Sequence, residues 1–338
     1  MQFFYKTMYR NLPVSLTLTV LGFVIILHAI KTRRKKSKSV MLDELLLGAL
    51  HIISSFFYPL FYNRYAEVSD VLFLVTNVFV GLTLFSIMAI ILREVIKVKW
   101  NPKLKIKRGY EAFKNNFLAG YSKKNQYKRR LTHVIPAAVI LPIYLISKSL
   151  APVMPHWEAW SVCLITTIGI SFVLFFSIGD LFRVNKPHLL PDWGAKLFTS
   201  GLNKEEVKNN TFSTTSAMVL AFAPWILTGF LIFTVVVLVA SVSDALAAIT
   251  GFRFGKRNFP KKSKKTVEGY IAGILSTFGL VILMFFILSR INPLYILVIG
   301  SLAALIFFLV DLIDLPIDDN KINPQAIGVV LLVLLASI

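Results

Sequence analysis

Ten apolar runs long enough to cross a bilayer punctuate the chain, near residues 13–30, 43–62, 70–92, 131–150, 157–179, 213–229, 231–250, 269–289, 293–312 and 323–338. In hydrocarbon every backbone N–H and C=O must find a partner inside the protein, so runs of this length fold as helices. The chain is therefore expected to be all-α, a polytopic membrane bundle of about ten transmembrane helices. Only 16% of its 338 residues are charged and the mean hydropathy is +0.70, which excludes a soluble domain of this length. Pro224 and Gly229 offer the break between the sixth and seventh runs. The final run is the shortest.

A formal net charge of +20 raises the question of nucleic acid. The positions of the basic residues answer it. With alternate loops taken as cytosolic, residues 31–42, 93–130, 180–212, 251–268 and 313–322 hold 32 of the 37 Lys and Arg. That asymmetry follows the membrane, places both termini on the non-cytosolic side and leaves no charge pattern that calls for nucleic acid. The expected location is the cytoplasmic membrane of a prokaryote or the endoplasmic reticulum of a eukaryote. Cys163 is the single cysteine, so neither a disulfide nor a cysteine metal site forms within one chain. The first apolar run lacks a small-residue cleavage site before the KTRRKKSK stretch at 31–38 and reads as a retained helix.

The chemistry concentrates in Ser241–Gly273, SVSDALAAITGFRFGKRNFPKKSKKTVEGYIAG. Asp244 follows thirteen uncharged residues, and a charged Asp near a helix centre costs about 2.5–3.5 kcal/mol on insertion. Gly251 lies seven residues on, about 10 Å along a helix, so a water-filled funnel could reach the carboxylate. Gly251 and Gly255 permit a tight backbone with N–H groups turned to an anion, while Lys256, Arg257, Lys261, Lys262, Lys264 and Lys265 add positive charge over the same spot. Glu268 opens the next apolar run. Two acids facing a basic, glycine-containing loop suit Mg²⁺ and a nucleotide triphosphate. A basic loop at a helix end also serves simply to fix topology, and the spacing favours the phosphate site.

Acids are scarce, yet Asp311, Asp314, Asp318 and Asp319 fall within nine residues, followed by Asn320, on the same expected side as that loop. Pro316 and the Asp-Asp-Asn run also make a solvated turn; the shared face favours a joint metal and phosphate site. In YKRRLTHVIP, three residues separate Arg130 from His133, placing both on one helical face where they could meet an anion. Asp180 and Arg183 stand at i, i+3 spacing for a local ion pair, and Glu205 with Glu206 precede the sixth run.

These elements resemble the polyprenol kinase family of membrane lipid kinases, which includes dolichol kinase, phytol kinase and the CTP-dependent diacylglycerol kinase and is distantly related to phosphatidate cytidylyltransferase. The match lies in Ser243-Asp244-Ala245 through Gly251, in Phe254-Gly255-Lys256, and in Lys265-Thr266-Val267-Glu268-Gly269, where threonine stands for the family's usual serine. Asp318-Asp319-Asn320 is similar to its late D-N element, Asp311 stands where it often carries glutamate, and Arg130 to His133 resembles the opening of its first core helix with the lysine shifted. The late H-G-G run and D-R-x-D of the cytidylyltransferase are absent, and no P-loop motif occurs.

The resemblance covers about residues 125–338 and implies an accessory region of about three helices in 1–120 and a lipid-kinase-like domain of about seven helices in 125–338. It implies an enzyme that transfers phosphoryl from CTP, with Mg²⁺, to a membrane lipid alcohol (polyprenol or dolichol, phytol, or diacylglycerol) at the cytosolic face. The implied catalytic residues are Asp244, Asp319 and Glu268. Gly251, Gly255, Lys256, Lys265, Thr266, Gly269, Arg130 and His133 are expected to bind nucleotide phosphates, and Asp244, Asp319 and Asp318 the metal. Asp180, Arg183, Glu205, Asp311 and Asn320 are further candidates. Two other readings stand beside it: a CDP-lipid synthase releasing pyrophosphate, and a transporter using the same buried acids.

Overall fold

A computed structural model of the chain describes residues 10–65, 67–260, 263, 265–313 and 317–337. Among them every regular element is helical, and the only β pairing is an isolated bridge between Asn258 and Thr266. Lys261, Lys262, Lys264 and Asp314, singled out in the sequence, lie outside the described residues.

The principal helices are α1 (Leu12–Thr32), α2 (Lys38–Asn63), α3 (Ser69–Trp100), α4 (Tyr110–Gly120), α5 (Lys123–Thr132), α6 (Ile135–Ser149), α7 (Trp157–Asn185), α8 (Asp192–Gly201), α9 (Lys204–Lys208), α10 (Thr215–Phe222), α11 (Phe230–Leu238), α12 (Asp244–Phe254), α13 (Val267–Leu288), α14 (Pro293–Ile313) and α15 (Asp319–Ala336). Eight spans among the described residues are long and apolar enough to cross a membrane: α1, α2, α3, α5 with α6, α7, α11 with α12, α13 and α14. Exposed Phe85 and Phe286 show the outward apolar faces that lipid covers. This is an all-α polytopic integral membrane protein.

Two of the ten expected runs differ from the other eight. Residues 215–228 form a shorter apolar helix that tightens into a 3₁₀ turn at Ala223–Thr228, and it stops at Gly229, whose φ of +116° suits glycine alone. Residues 319–336 are helical, but Asp319, Asn320, Lys321 and Asn323 make the first turns polar.

The chain divides into two compact units. The first comprises residues 1–129 and 146–220. Here Gly22 and Gly48 let α1 and α2 approach until a Cβ on Gly22 would lie 2.7 Å from Ile52. Buried hydrogen bonds join the spans: Tyr62 and Thr76 hydroxyls at 2.7 Å, Thr76 and Thr167 at 2.9 Å, and His51 Nε2 with Ser177 Oγ at 2.8 Å. Phe117, Leu190, Phe198, Leu202 and Val207 form an apolar cluster under the short helices α4, α8 and α9.

The second unit comprises residues 130–145 and 221–338. Its hub is the span Phe230–Phe254, which is 78% buried where the other seven are 22–44% buried. This span packs against α13 and α15, which enclose it. Gly328 of α15 accepts the Trp225 indole against its backbone, a place no side chain could share. The hub also carries a five-residue π segment, Val239–Ser243, ending immediately before Asp244.

Candidate active site

The site is assembled within the second unit from the ends of four helices. Asp244 begins α12, which continues to Phe254, so its carboxylate lies about 15 Å from the helix mouth, deeper than the sequence spacing suggested. π segments interrupt the i→i−4 ladder and re-aim the residues beside them, a frequent device at functional sites. Arg130 Nη1 donates to Asp244 Oδ2 at 2.7 Å, and His133 Nδ1 lies 3.7 Å from the same oxygen. The i, i+3 spacing of Arg130 and His133 thus brings both to one carboxylate. With Asp244 only 8% exposed, the Arg130 guanidinium is what makes an ionised carboxylate tolerable there.

A second couple forms around Lys265. Its Nζ donates to Asp311 Oδ1 at 2.6 Å, to the Asp311 carbonyl at 2.8 Å and to Asp319 Oδ2 at 3.3 Å. One lysine therefore ties the basic loop to the end of α14 and the start of α15. Asp318 caps α15, accepting from the Asn320 backbone N–H at 2.9 Å and from its Nδ2 at 2.6 Å. Arg130 feels Asp318, Asp319 and Asp311 as well as Asp244, which places all four carboxylates in one electrostatic neighbourhood. Asp319 lies outside the eight spans. Burial pushes its carboxyl up to about 7; Lys265 pulls it down, and Asp244, Asp311 and Asp318 push it further up.

The loop itself is held by packing. Backbone bonds from Phe259 N–H to the Lys265 carbonyl and from Val267 N–H to the Arg257 carbonyl, each 3.0 Å, close its base. Thr266 caps α13 through Gly269 N–H at 3.2 Å. A Cβ on Gly255 would meet Thr266 Cγ2 at 2.6 Å, and one on Gly251 would meet Thr266 Oγ1 at 3.0 Å. Gly251 lies inside α12 and Gly255 has ordinary negative φ, so the glycines admit close backbone approach to Thr266 and Gly269. Glu268 turns its carboxylate toward the backbone N–H groups of Lys256 and Arg257, which steadies the loop. Lys256 is exposed.

Among the described residues no three of His, Cys, Asp or Glu are grouped as a metal cage. Mg²⁺ needs less, one or two carboxylates with phosphate oxygens and water completing the shell. The donor set fits that mode, with Asp244 and Asp319 supplying carboxylates and Arg130 and Lys265 positioned to meet the phosphate charge.

The remaining candidates belong to the first unit. Arg183 and Asp180 form a fully buried pair at 2.6 Å; Arg183 also donates to the Thr211 carbonyl and Asp180 accepts from Ser213 N–H at 2.6 Å. Glu206 completes a capping box with Asn203, and Glu205 is exposed beside Lys208 at 3.8 Å. These contacts fasten the segment 203–214 to α7.

The chain matches the Cytidylyltransferase family over residues 3–314 and belongs to that family. The match extends through the first 120 residues, which the motif resemblance did not reach. No curated protein and no solved structure matches the chain. It is thus a membrane protein of an enzyme family whose name denotes chemistry on CTP.

Proposed function

We propose that the protein is a CTP-dependent lipid-alcohol kinase, acting at the cytosolic face with catalysis confined to 125–338. The observation that carries the reading is the pair of cation–carboxylate couples, Arg130/His133 on Asp244 and Lys265 on Asp311 and Asp319, gathered at one end of one unit. Membership of a cytidylyltransferase family supports CTP as the nucleotide. A transporter is expected to place acids near the midplane in both halves, and the enzyme family argues against that reading.

In this reading Lys265, Arg130 and Lys256 bind phosphates, which replace the carboxylates as partners of those cations. Asp244 and Asp319, with Asp318 adjoining, hold Mg²⁺, which when bound neutralises charge on the β- and γ-phosphates. The acceptor oxygen attacks the γ-phosphorus, the bond to the CDP oxygen breaks, and the hydroxyl proton passes to a carboxylate, Asp244 or Asp319. Most of the acceleration comes from positioning and charge stabilisation by these fixed groups. Thr266 and Glu268 keep the loop in place.

The second reading is a CDP-lipid synthase, favoured by the family match. The absence of the H-G-G and D-R-x-D elements weighs against it. Purified protein given γ-labelled CTP and a panel of polyprenol, phytol and diacylglycerol tests the proposal: label in a lipid supports a kinase, and no labelled lipid with any alcohol refutes it.

A further inference from the structure

The first unit carries an open groove that the chemistry at Asp244 does not use. It lies between the late turns of α3 and α7 and the short helix α8, with about 420 Å³ of empty space, and every residue lining it is apolar. Ile87, Ile90 and Ile91 form one wall; Phe175 and Trp193, stacked with ring centroids 6.4 Å apart, form part of another. Gly179 leaves no room for a side chain under Phe198, so α8 closes directly on α7. Ile91 stands two residues before Arg93, which sets the groove at the depth where hydrocarbon gives way to headgroups. Trp193, 50% exposed at the rim, is a residue type enriched at that boundary.

A strongly basic segment stands at the mouth. Residues 93–108 hold seven Lys and Arg against one acid, Glu94, which Arg108 meets at 2.7 Å and Lys97 at 3.2 Å. Arg108 also reaches Asp192 at the start of α8, 2.7 Å away, and so ties the segment to the groove's own wall. The short helix Lys103–Lys107 packs on the 3₁₀ turn Pro187–Leu189, and Leu190 and Pro191 of the groove follow that turn directly. Burial, with Lys105 and Lys186 nearby, holds the His188 imidazole of this turn below its ordinary value. Lys103, Lys105, Lys107 and Lys186 are exposed, and so are Trp100 and Ile106 at 84% each. Lysines interleaved with bare apolar side chains suit a bilayer surface.

We propose that the groove binds an anionic phospholipid of the surrounding bilayer, one acyl chain lying along Ile87, Ile91 and Trp193 and the headgroup phosphate beneath Lys103, Lys105, Lys107 and Lys186. Clusters of about four to eight Lys and Arg just outside a span attract anionic lipid, each worth about fivefold in affinity. The segment lies on the expected cytosolic side, the leaflet that carries such lipid. An acidic protein would match the lysines and leave the groove empty, so a lipid is the occupant that both features share. The site belongs to the first unit and does not rest on the kinase reading.

The test places the full chain in phosphatidylcholine nanodiscs with a trace of chain-spin-labelled phosphatidylglycerol or phosphatidylcholine, and compares their motionally restricted fractions. Phosphatidylglycerol should be preferred at least about fivefold, and about 1 M salt, where the Debye length is about 3 Å, should remove most of the preference. The triple variant Lys103→Gln/Lys105→Gln/Lys107→Gln changes exposed positions only and should bring the ratio close to one. Ile91→Trp, which fills the groove, and Trp193→Ala, which removes a wall without crowding the helices, should each erase the preference with the lysines intact. No preference in the wild type, or one that the triple variant keeps, would overturn the proposal and leave the basic segment to topology or to an acidic protein partner. A preference lost with the lysines but kept by both groove variants would also overturn it, reducing the contact to diffuse attraction at the surface.

Discussion

Asp244→Asn separates the structural and chemical duties of the buried carboxylate. The substitution keeps shape and removes one charge from a contact 2.7 Å long, leaving the half-buried Arg130 against a neutral amide. Breaking a fully buried pair from one side costs about 3–5 kcal/mol, and the partial exposure of Arg130 together with Asp311, Asp318 and Asp319 around it reduces that to roughly 2–3 kcal/mol. The melting temperature in detergent should therefore fall, with the protein still inserted and monodisperse. Phosphoryl transfer should fall by about 10²–10³, the usual loss when one fixed charge-stabilising group is removed. The double variant Asp244→Asn/Arg130→Met removes both charges and should recover most of the lost stability and none of the activity. Transfer by Asp244→Asn above a tenth of wild type would refute the assignment of this carboxylate to the chemistry.

Lys265→Ala should raise the apparent KM for CTP by at least tenfold with a smaller change in kcat, because a phosphate contact present before and during transfer contributes uniform binding; steady-state kinetics decide it. Gly255→Ala should destabilise by about 1–3 kcal/mol in thermal melts, since the new methyl meets Thr266 and the Gly251 carbonyl, and backbone yields poorly. Asp319 titrates near 7 in the folded protein against 3.8 for the ordinary carboxyl, so its protonated form favours folding. That contribution is complete below about pH 4 and is lost as pH rises through 7. Asp319→Asn should flatten the fall of the melting temperature between pH 4 and 7, and an unchanged slope would remove Asp319 as its source.

The membrane architecture was legible because hydrocarbon leaves the backbone few choices: eight of ten apolar runs became full spans. The other two departed where local chemistry intervened, Pro224 and Gly229 breaking one and four polar residues opening the other. Asp244, Lys265 and Asp319 were visible as charges in a chain that spends few of them. Their partners were less so: the i, i+3 rule put Arg130 and His133 on one face, but their convergence on Asp244 depends on a contact 114 residues away in sequence. The π segment left no mark, because VASVS is as compatible with an ordinary helix. The glycines were read as turn formers, and only the approach of Thr266 and Gly269 shows that they make room between helices. Ser243, Thr277 and Asn323 passed unnoticed since small polar residues are common in membrane helices, and only burial without partners among the described residues distinguishes them.

The central claim, transfer of the terminal phosphoryl group, is tested most directly by following both ends of one nucleotide. Purified protein in nanodiscs containing diacylglycerol, with phosphatidic acid in a parallel reaction, is given CTP labelled at either the α- or the γ-phosphate. The account predicts γ-label in the lipid from the diacylglycerol reaction, α-label remaining in water as CDP, and no pyrophosphate. Alpha-label entering the lipid from phosphatidic acid with release of pyrophosphate would contradict it and identify a CDP-lipid synthase.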